Sequence, residues 1–134
     1  MTDLELMQLA VEAREMAYAP YSNFRVGAAL LAKSGKVYKG CNIENAAYSP
    51  TNCAERTALF KAVSEGEREF VAIAIVGGMY ESIADFCAPC GVCRQALAEF
   101  CGKDFRVILG NPDNVKAYTF GEILPFAFGK ADLE

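Results

Sequence analysis

Thr51-Asn52-Cys53-Ala54-Glu55-Arg56 and Ala88-Pro89-Cys90-Gly91-Val92-Cys93-Arg94-Gln95 are the two stretches around which the rest of the chain must arrange itself. Each reads as the first turn of a helix that follows a loop. Together they offer three thiols and one carboxylate. Cys90 and Cys93 are three apart, so a helix puts them on one face. A helix N-terminus presents unpaired N–H groups and the positive end of its dipole, which lower a thiol pKa and favour thiolate. Three thiolates converging at two helix ends form a soft, tetrahedral-leaning donor set that suits zinc. Three protein ligands instead of four leave a position open for water, the arrangement of a catalytic zinc. Glu55, two residues past Cys53, can reach such a water without ligating the metal.

Working outward, Ser49-Pro50-Thr51-Asn52 supplies capping residues for a helix from Cys53 to about Ser64, with Ala54, Ala58, Leu59, Ala62 and Val63 as its apolar stripe. Upstream, residues 24–32 read as a strand, Lys33-Ser34-Gly35-Lys36 as a turn and residues 37–41 as the returning arm of a hairpin. Gly27, Ala28 and Ala29 are small enough for a helix or a ligand to approach the backbone closely. Thr2 with Glu5 makes a capping box for a first helix reaching Met16 or Ala17. Its stripe is Leu6, Leu9, Ala10, Ala13, Met16 and Ala17.

Downstream, residues 70–76 are near-continuously apolar, the mark of a central strand buried on both faces. The second cysteine helix runs from Cys90 to about Phe100. Residues 106–109 and 115–119 are the last two strands. Too few residues separate them for a parallel crossover, so they pair antiparallel, whereas the helix-bearing connections before them make parallel strands. Thr119 and Glu122 cap a short final helix. The expected fold class is therefore α/β, a single domain over residues 1–134, with a mixed five-stranded sheet whose first two strands form a hairpin.

Composition narrows the function. A chain of 134 residues suits one domain. At that length roughly two thirds of the unfolded surface can be buried, enough for a core without disulfide staples. Thirteen Lys and Arg against 17 Asp and Glu, net −4, argue against affinity built on phosphate contacts, so no nucleic acid is expected as a partner. The start, Met1-Thr2-Asp3-Leu4-Glu5, has no basic leader or apolar segment, and the longest apolar run is far short of the ~20 residues that span a bilayer. A cytoplasmic location away from membranes is expected. Six cysteines in a reducing compartment read as metal ligands or redox groups before disulfides. Pro89 fits a helix start and leaves Cys87 outside it, a bystander, and Cys41 and Cys101 read as small buried hydrophobes.

Cys53-Ala54-Glu55-Arg56 followed by Pro89-Cys90-x-x-Cys93-Arg94-Gln95 resembles the signature of the cytidine deaminase family. The broader superfamily opens this signature with His. The present chain contains no histidine, so it resembles the all-cysteine, small-subunit branch. Phe24-x-Val26-Gly27-Ala28-Ala29, Asn42-Ile43-Glu44-Asn45 and Leu124-Pro125-x-x-Phe128 match further family motifs in order, so the likeness covers nearly the whole chain. It implies a three-layer α/β/α fold around the mixed sheet and one Zn²⁺ per subunit on Cys53, Cys90 and Cys93. The implied reaction is hydrolytic deamination of cytidine and 2′-deoxycytidine to the uridines with release of ammonia, a step of pyrimidine salvage.

The resemblance also implies roles. Glu55 moves a proton from water to ring N3 and then to the departing amine. Phe24 stacks on the pyrimidine, Asn42 and Glu44 hydrogen-bond the ribose, and the backbone N–H groups of Ala54 and Cys90 are candidates to hold the pyrimidine edge. Three thiolates on Zn²⁺ leave a net −1, which Arg56 offsets by donating to sulfur. The family resembled is a homotetramer with active sites at subunit interfaces, where a C-terminal Phe covers a neighbour's pyrimidine. Phe128 matches that Phe by count from Leu124-Pro125, and Phe126 is an additional aromatic of no assigned place.

Three rival readings compete. A structural zinc module would recruit Cys87 as a fourth thiolate, but such sites usually come as two C-x-x-C pairs and Cys53 is solitary. A thioredoxin-like use of Cys90-Gly91-Val92-Cys93 leaves Cys53 and Glu55 without a role. A deaminase of aminonucleoside antibiotics such as blasticidin S shares both cysteine motifs, against which the Asn42–Asn45 segment and the terminal Phe favour the nucleoside.

Overall fold

A computed structural model describes residues 1–134. In chain order its elements are α1 (Asp3–Arg14), β1 (Phe24–Ala32), β2 (Val37–Cys41), α2 (Ala54–Ser64), β3 (Phe70–Met79), α3 (Gly91–Ala98), β4 (Arg106–Asn111), β5 (Asn114–Thr119), α4 (Phe120–Ile123) and a terminal 3₁₀ turn, Lys130–Leu133. The sheet runs β2-β1-β3-β4-β5. β1 pairs antiparallel with both β2 and β3, β3 is parallel to β4, and β4 is antiparallel to β5. The expected hairpin, the helix-linked parallel pair and the antiparallel close are all present.

The period of two along each central strand divides the interior into two cores. Ala28, Leu30, Ile73, Ile75, Val107 and Leu109 face α2 and α3, where they meet Ala54, Ala58, Leu59 and Leu97. Their neighbours Ala29, Ala72, Ala74, Val76 and Ile108 face α1, against Leu6, Met7 and Ala10. Helices therefore cover both faces, and the three-layer architecture follows. Burying a Leu or Ile here contributes about 1.5–3 kcal/mol.

Two glycines let the helices lie close on the sheet. A Cβ on Gly27 would fall on the α1 backbone at Ala10 and Arg14, and one on Gly40 would fall on the α2 backbone at Ala54 and Ala58. The close approach expected of the small residues in β1 is thus made by a helix.

Several boundaries differ from expectation. α1 ends at Arg14 because the chain must turn away for Tyr18 to bridge Ile43, which leaves Met16 78% exposed. Met7 and Arg14 occupy the buried face instead. β3 continues to Met79, paired with Phe24 at the start of β1. α3 stops at Ala98. The β4–β5 turn is tighter than expected, since Asn111 Oδ1 accepts from the N–H groups of Asp113 and Asn114 and extends both strands.

Candidate metal centre

α2 and α3 each begin on a cysteine. Cys53 is the N-cap of α2 and Cys90 that of α3, both with extended backbone, so the expected Ser, Thr and Asn caps are not used. Cys90 Sγ accepts from the N–H of Cys93 at 3.5 Å, taking the place of a capping oxygen. The α2 and α3 crossovers both leave the same end of the sheet, which brings the two N-termini together. The Sγ atoms of Cys53, Cys90 and Cys93 all lie within 4.8 Å of one another.

The donor set fits zinc on two counts. With bonds of about 2.3 Å in a tetrahedron, two sulfurs stand about 3.8 Å apart, and Cys53 Sγ and Cys90 Sγ are 3.8 Å apart. The cluster also favours negative charge: the Cys93 thiol and the Arg56 guanidinium donate to Cys53 and hold its thiol well below the usual range. Cys93 is correspondingly pushed up by sharing its proton with Cys53 and by burial. Arg56 Nη2 donates to Cys53 Sγ at 3.5 Å, whereas the buried Nε of the same guanidinium has no partner.

Glu55 lies one residue into α2 with 4% of its surface exposed. Burial pushes its carboxyl up to about 7, and the Cys53 thiolate adds to the rise. It borders a cavity of about 220 Å³ whose wall also includes Phe24, Asn42, Glu44, Ala54, Cys87 and Cys90. Cys87 therefore borders the cavity yet stands outside the three-sulfur cluster, and burial raises its thiol to about 11.

Asn42 and Glu44 are fixed before any ligand arrives. Asn42 Nδ2 donates to the Phe24 carbonyl at 2.8 Å and Oδ1 accepts from the Val26 N–H at 2.9 Å, which clips down the start of β1 and aims Phe24. The amide carries a second Nδ2 proton beyond the one given to Phe24. Glu44 accepts from the Ser22 hydroxyl and from the N–H groups of Tyr21 and Ser22 at 2.9 and 3.1 Å, and these bonds hold it below the usual carboxylate range. Phe128 lies elsewhere: it is 60% exposed, and neither it nor Phe126 borders the cavity of its own chain.

Two further residues hold this region together without a motif to announce them, Ser22 on Glu44 and Arg14 beneath β3. Arg14 is 6% exposed and donates to the carbonyls of Arg25, Gly78, Tyr80 and Ser82, pinning the loop that leads from β3 to Cys87. Its one sequence signal is its place four residues after Ala10, on the buried stripe.

The sequence pattern of the cytidine and deoxycytidylate deaminase zinc-binding region matches residues 1–109. The chain belongs to that deaminase family. Cytidine deaminase of Halalkalibacterium halodurans is 54% identical over 96% of this chain and 95% of its own length. That of Sporosarcina psychrophila is 52% identical over 96% and 93%. The crystal structure of cytidine deaminase from Burkholderia pseudomallei superposes with a TM-score of 0.87 at 50% identity, covering 96% of this chain and all of that one. The deaminase fold, the match to a zinc-binding region and the three-thiol cluster thus agree.

Proposed function

We propose that this chain, as a single domain over residues 1–134, converts cytidine and 2′-deoxycytidine to uridine and 2′-deoxyuridine by hydrolysis, releasing ammonia. The observation that carries the proposal is a buried carboxylate, Glu55, beside three converging thiols and bordering a cavity sized for one small ligand. Cys53, Cys90 and Cys93 would hold zinc, which would supply a Lewis acid able to lower the pKa of water from near 16 toward about 7.

The chain's own groups do the rest. Glu55 takes a proton from the attacking water and passes it to ring N3. The water oxygen adds to C4. Glu55, now unprotonated, takes the proton of the new C4 hydroxyl and delivers it to the amine; the C4–N bond breaks as the C4 carbonyl forms, and ammonia leaves. Such acid–base work is worth roughly 10²- to 10⁴-fold in rate. Phe24 lies at the cavity wall to stack on the pyrimidine, and the Ala54 N–H at the open end of α2 is available to the ring edge. Asn42 and the ionised Glu44 suit ribose hydroxyls as donor and acceptor. Arg56 offsets the negative charge of the thiolates.

A homotetramer with its sites at subunit interfaces is in keeping with the exposed apolar tail, where Phe126, Phe128 and Leu133 stand in solvent on a single chain. A cytoplasmic location is in keeping with six unpaired cysteines. No helix is long and apolar enough to cross a membrane.

The test is incubation with cytidine, with the loss of its absorbance followed alongside a zinc count. About one zinc per chain with uridine as product supports the proposal. Zinc enclosed by a fourth cysteine, or consumption of blasticidin S with cytidine untouched, overturns it.

A further inference from the structure

Arg94 and Gln95 follow the last thiol directly, and the reaction leaves both without a task. Their side chains reach away from the cavity to the C-terminal segment. Arg94 Nε donates to the carbonyl of Pro89, the residue before Cys90, at 2.8 Å. Its Nη1 donates to the carbonyl of Ile123, the last residue of α4, at 2.6 Å. One rigid guanidinium thus spans from the cysteine loop to the tail, and its fork geometry fixes both ends at once. Gln95 Nε2 donates to the carbonyl of Phe128 at 2.8 Å.

Just past Phe128, the N–H of Gly129 donates to Asp132 at 2.8 Å and closes the terminal 3₁₀ turn. The backbone of Phe128 is therefore held on both sides while its ring stays exposed. Phe126, fully exposed and with φ +54, has no comparable side-chain grip on its carbonyl.

We propose that Arg94 and Gln95 are positioning residues that fasten the C-terminal tail to the cysteine helix, so that occupancy of Cys90 and Cys93 and the placement of Phe128 are linked. An ion gripping Cys90 and Cys93 stiffens the first turn of α3. Arg94 and Gln95, the next two residues of that helix, carry the stiffening to Ile123 and Phe128. Phe128, not Phe126, is then the aromatic presented outward in a fixed direction. The proposal rests on the reading of Cys90 and Cys93 as zinc ligands.

The chain has no tryptophan, so Phe128→Trp introduces a single reporter of the tail. In zinc-loaded protein its emission anisotropy is expected to fall when a chelator strips the metal. Adding Gln95→Glu, isosteric but lacking the N–H donor, is expected to give the lower anisotropy with zinc still bound. Gln95→Lys, which keeps a donor of similar reach, is expected to recover the parent value. In the otherwise wild-type enzyme, Gln95→Glu is expected to raise KM by about two- to tenfold with kcat and zinc content unchanged, the range set by losing one hydrogen bond. Equal anisotropy for the zinc-loaded parent and Gln95→Glu proteins overturns the fastening. Equal anisotropy with and without zinc overturns the linkage. A parent protein that takes up no zinc defeats the ligand reading instead, and leaves the Gln95→Glu comparison still decisive for the tail.

Discussion

Arg56 donates to Cys53 Sγ through one nitrogen at 3.5 Å and keeps another, Nε, buried without an acceptor. A buried donor with no partner is costly, and the role proposed for this guanidinium is to set its charge against the sulfurs. Arg56→Gln keeps an N–H donor and discards that charge. Zinc affinity or kcat is expected to drop by about 10- to 100-fold, read by competition with a chromophoric chelator and by steady-state kinetics. Unchanged values for both would remove Arg56 from charge control.

Glu55→Gln preserves shape and burial while abolishing proton transfer. Zinc content should stay near one per chain, and kcat should fall by at least about 10²-fold. Wild-type turnover in this variant would refute the proton-carrying role.

Cys87 and Cys90 make a matched pair for counting ligands. Cys87→Ala should leave the zinc stoichiometry intact, since Cys87 stands outside the three-sulfur cluster. Cys90→Ala should lose most of the metal. Metal analysis after dialysis separates the two, and zinc loss in Cys87→Ala would point to a closed, structural site.

Asp3 accepts from Arg106 Nη1 and Nη2 at 2.6 Å each, tying the start of α1 to β4, and these bonds hold its carboxyl below the usual carboxylate range. A lowered acid pKa in the folded state means stability that is present above the unfolded value and lost as pH falls through the folded one. Asp3→Asn is expected to remove about 0.5–1 kcal/mol at pH 7, the scale of a partly exposed pair. The gap between the urea midpoints of the two proteins should close as pH drops below 4.

Gly40 lies under α2 at the point where a Cβ meets the backbone of Ala54 and Ala58. Gly40→Ala should cost about 1–3 kcal/mol by overpacking. Because α2 also carries Cys53 and Glu55, zinc affinity and kcat should decline with stability. A purely structural glycine would leave the site parameters unmoved.

How much of this was legible in the sequence depended on whether the signal was local. β1 and β2 have the expected bounds because their periodicity and the Ser34-Gly35 turn lie within a few residues of each other. The three thiols and Glu55 were readable because helix-start spacing is itself local chemistry. The end of α1 was not, since Tyr18 leaves the helical path to pair with Ile43, a partner distant in sequence. Arg14 was missed for the same reason: its acceptors come from β1, from β3 and from the loop beyond, and only the assembled fold gathers those carbonyls. The cap at Cys90 is made by sulfur and so carries none of the hydroxyl or carboxamide signature of a helix start. The tail was half legible, its aromatics plain but its attachment through Gln95 visible only in three dimensions.

Cys53 and Cys90 stand 37 residues apart yet bring their sulfurs to 3.8 Å. An unfolded chain gathers such a trio poorly, so zinc binds the native form in preference and adds to its stability by mass action. Metal stoichiometry in a purified batch is then an assay of how many molecules are native. Melting temperatures of variants are comparable only when measured at the same free zinc concentration.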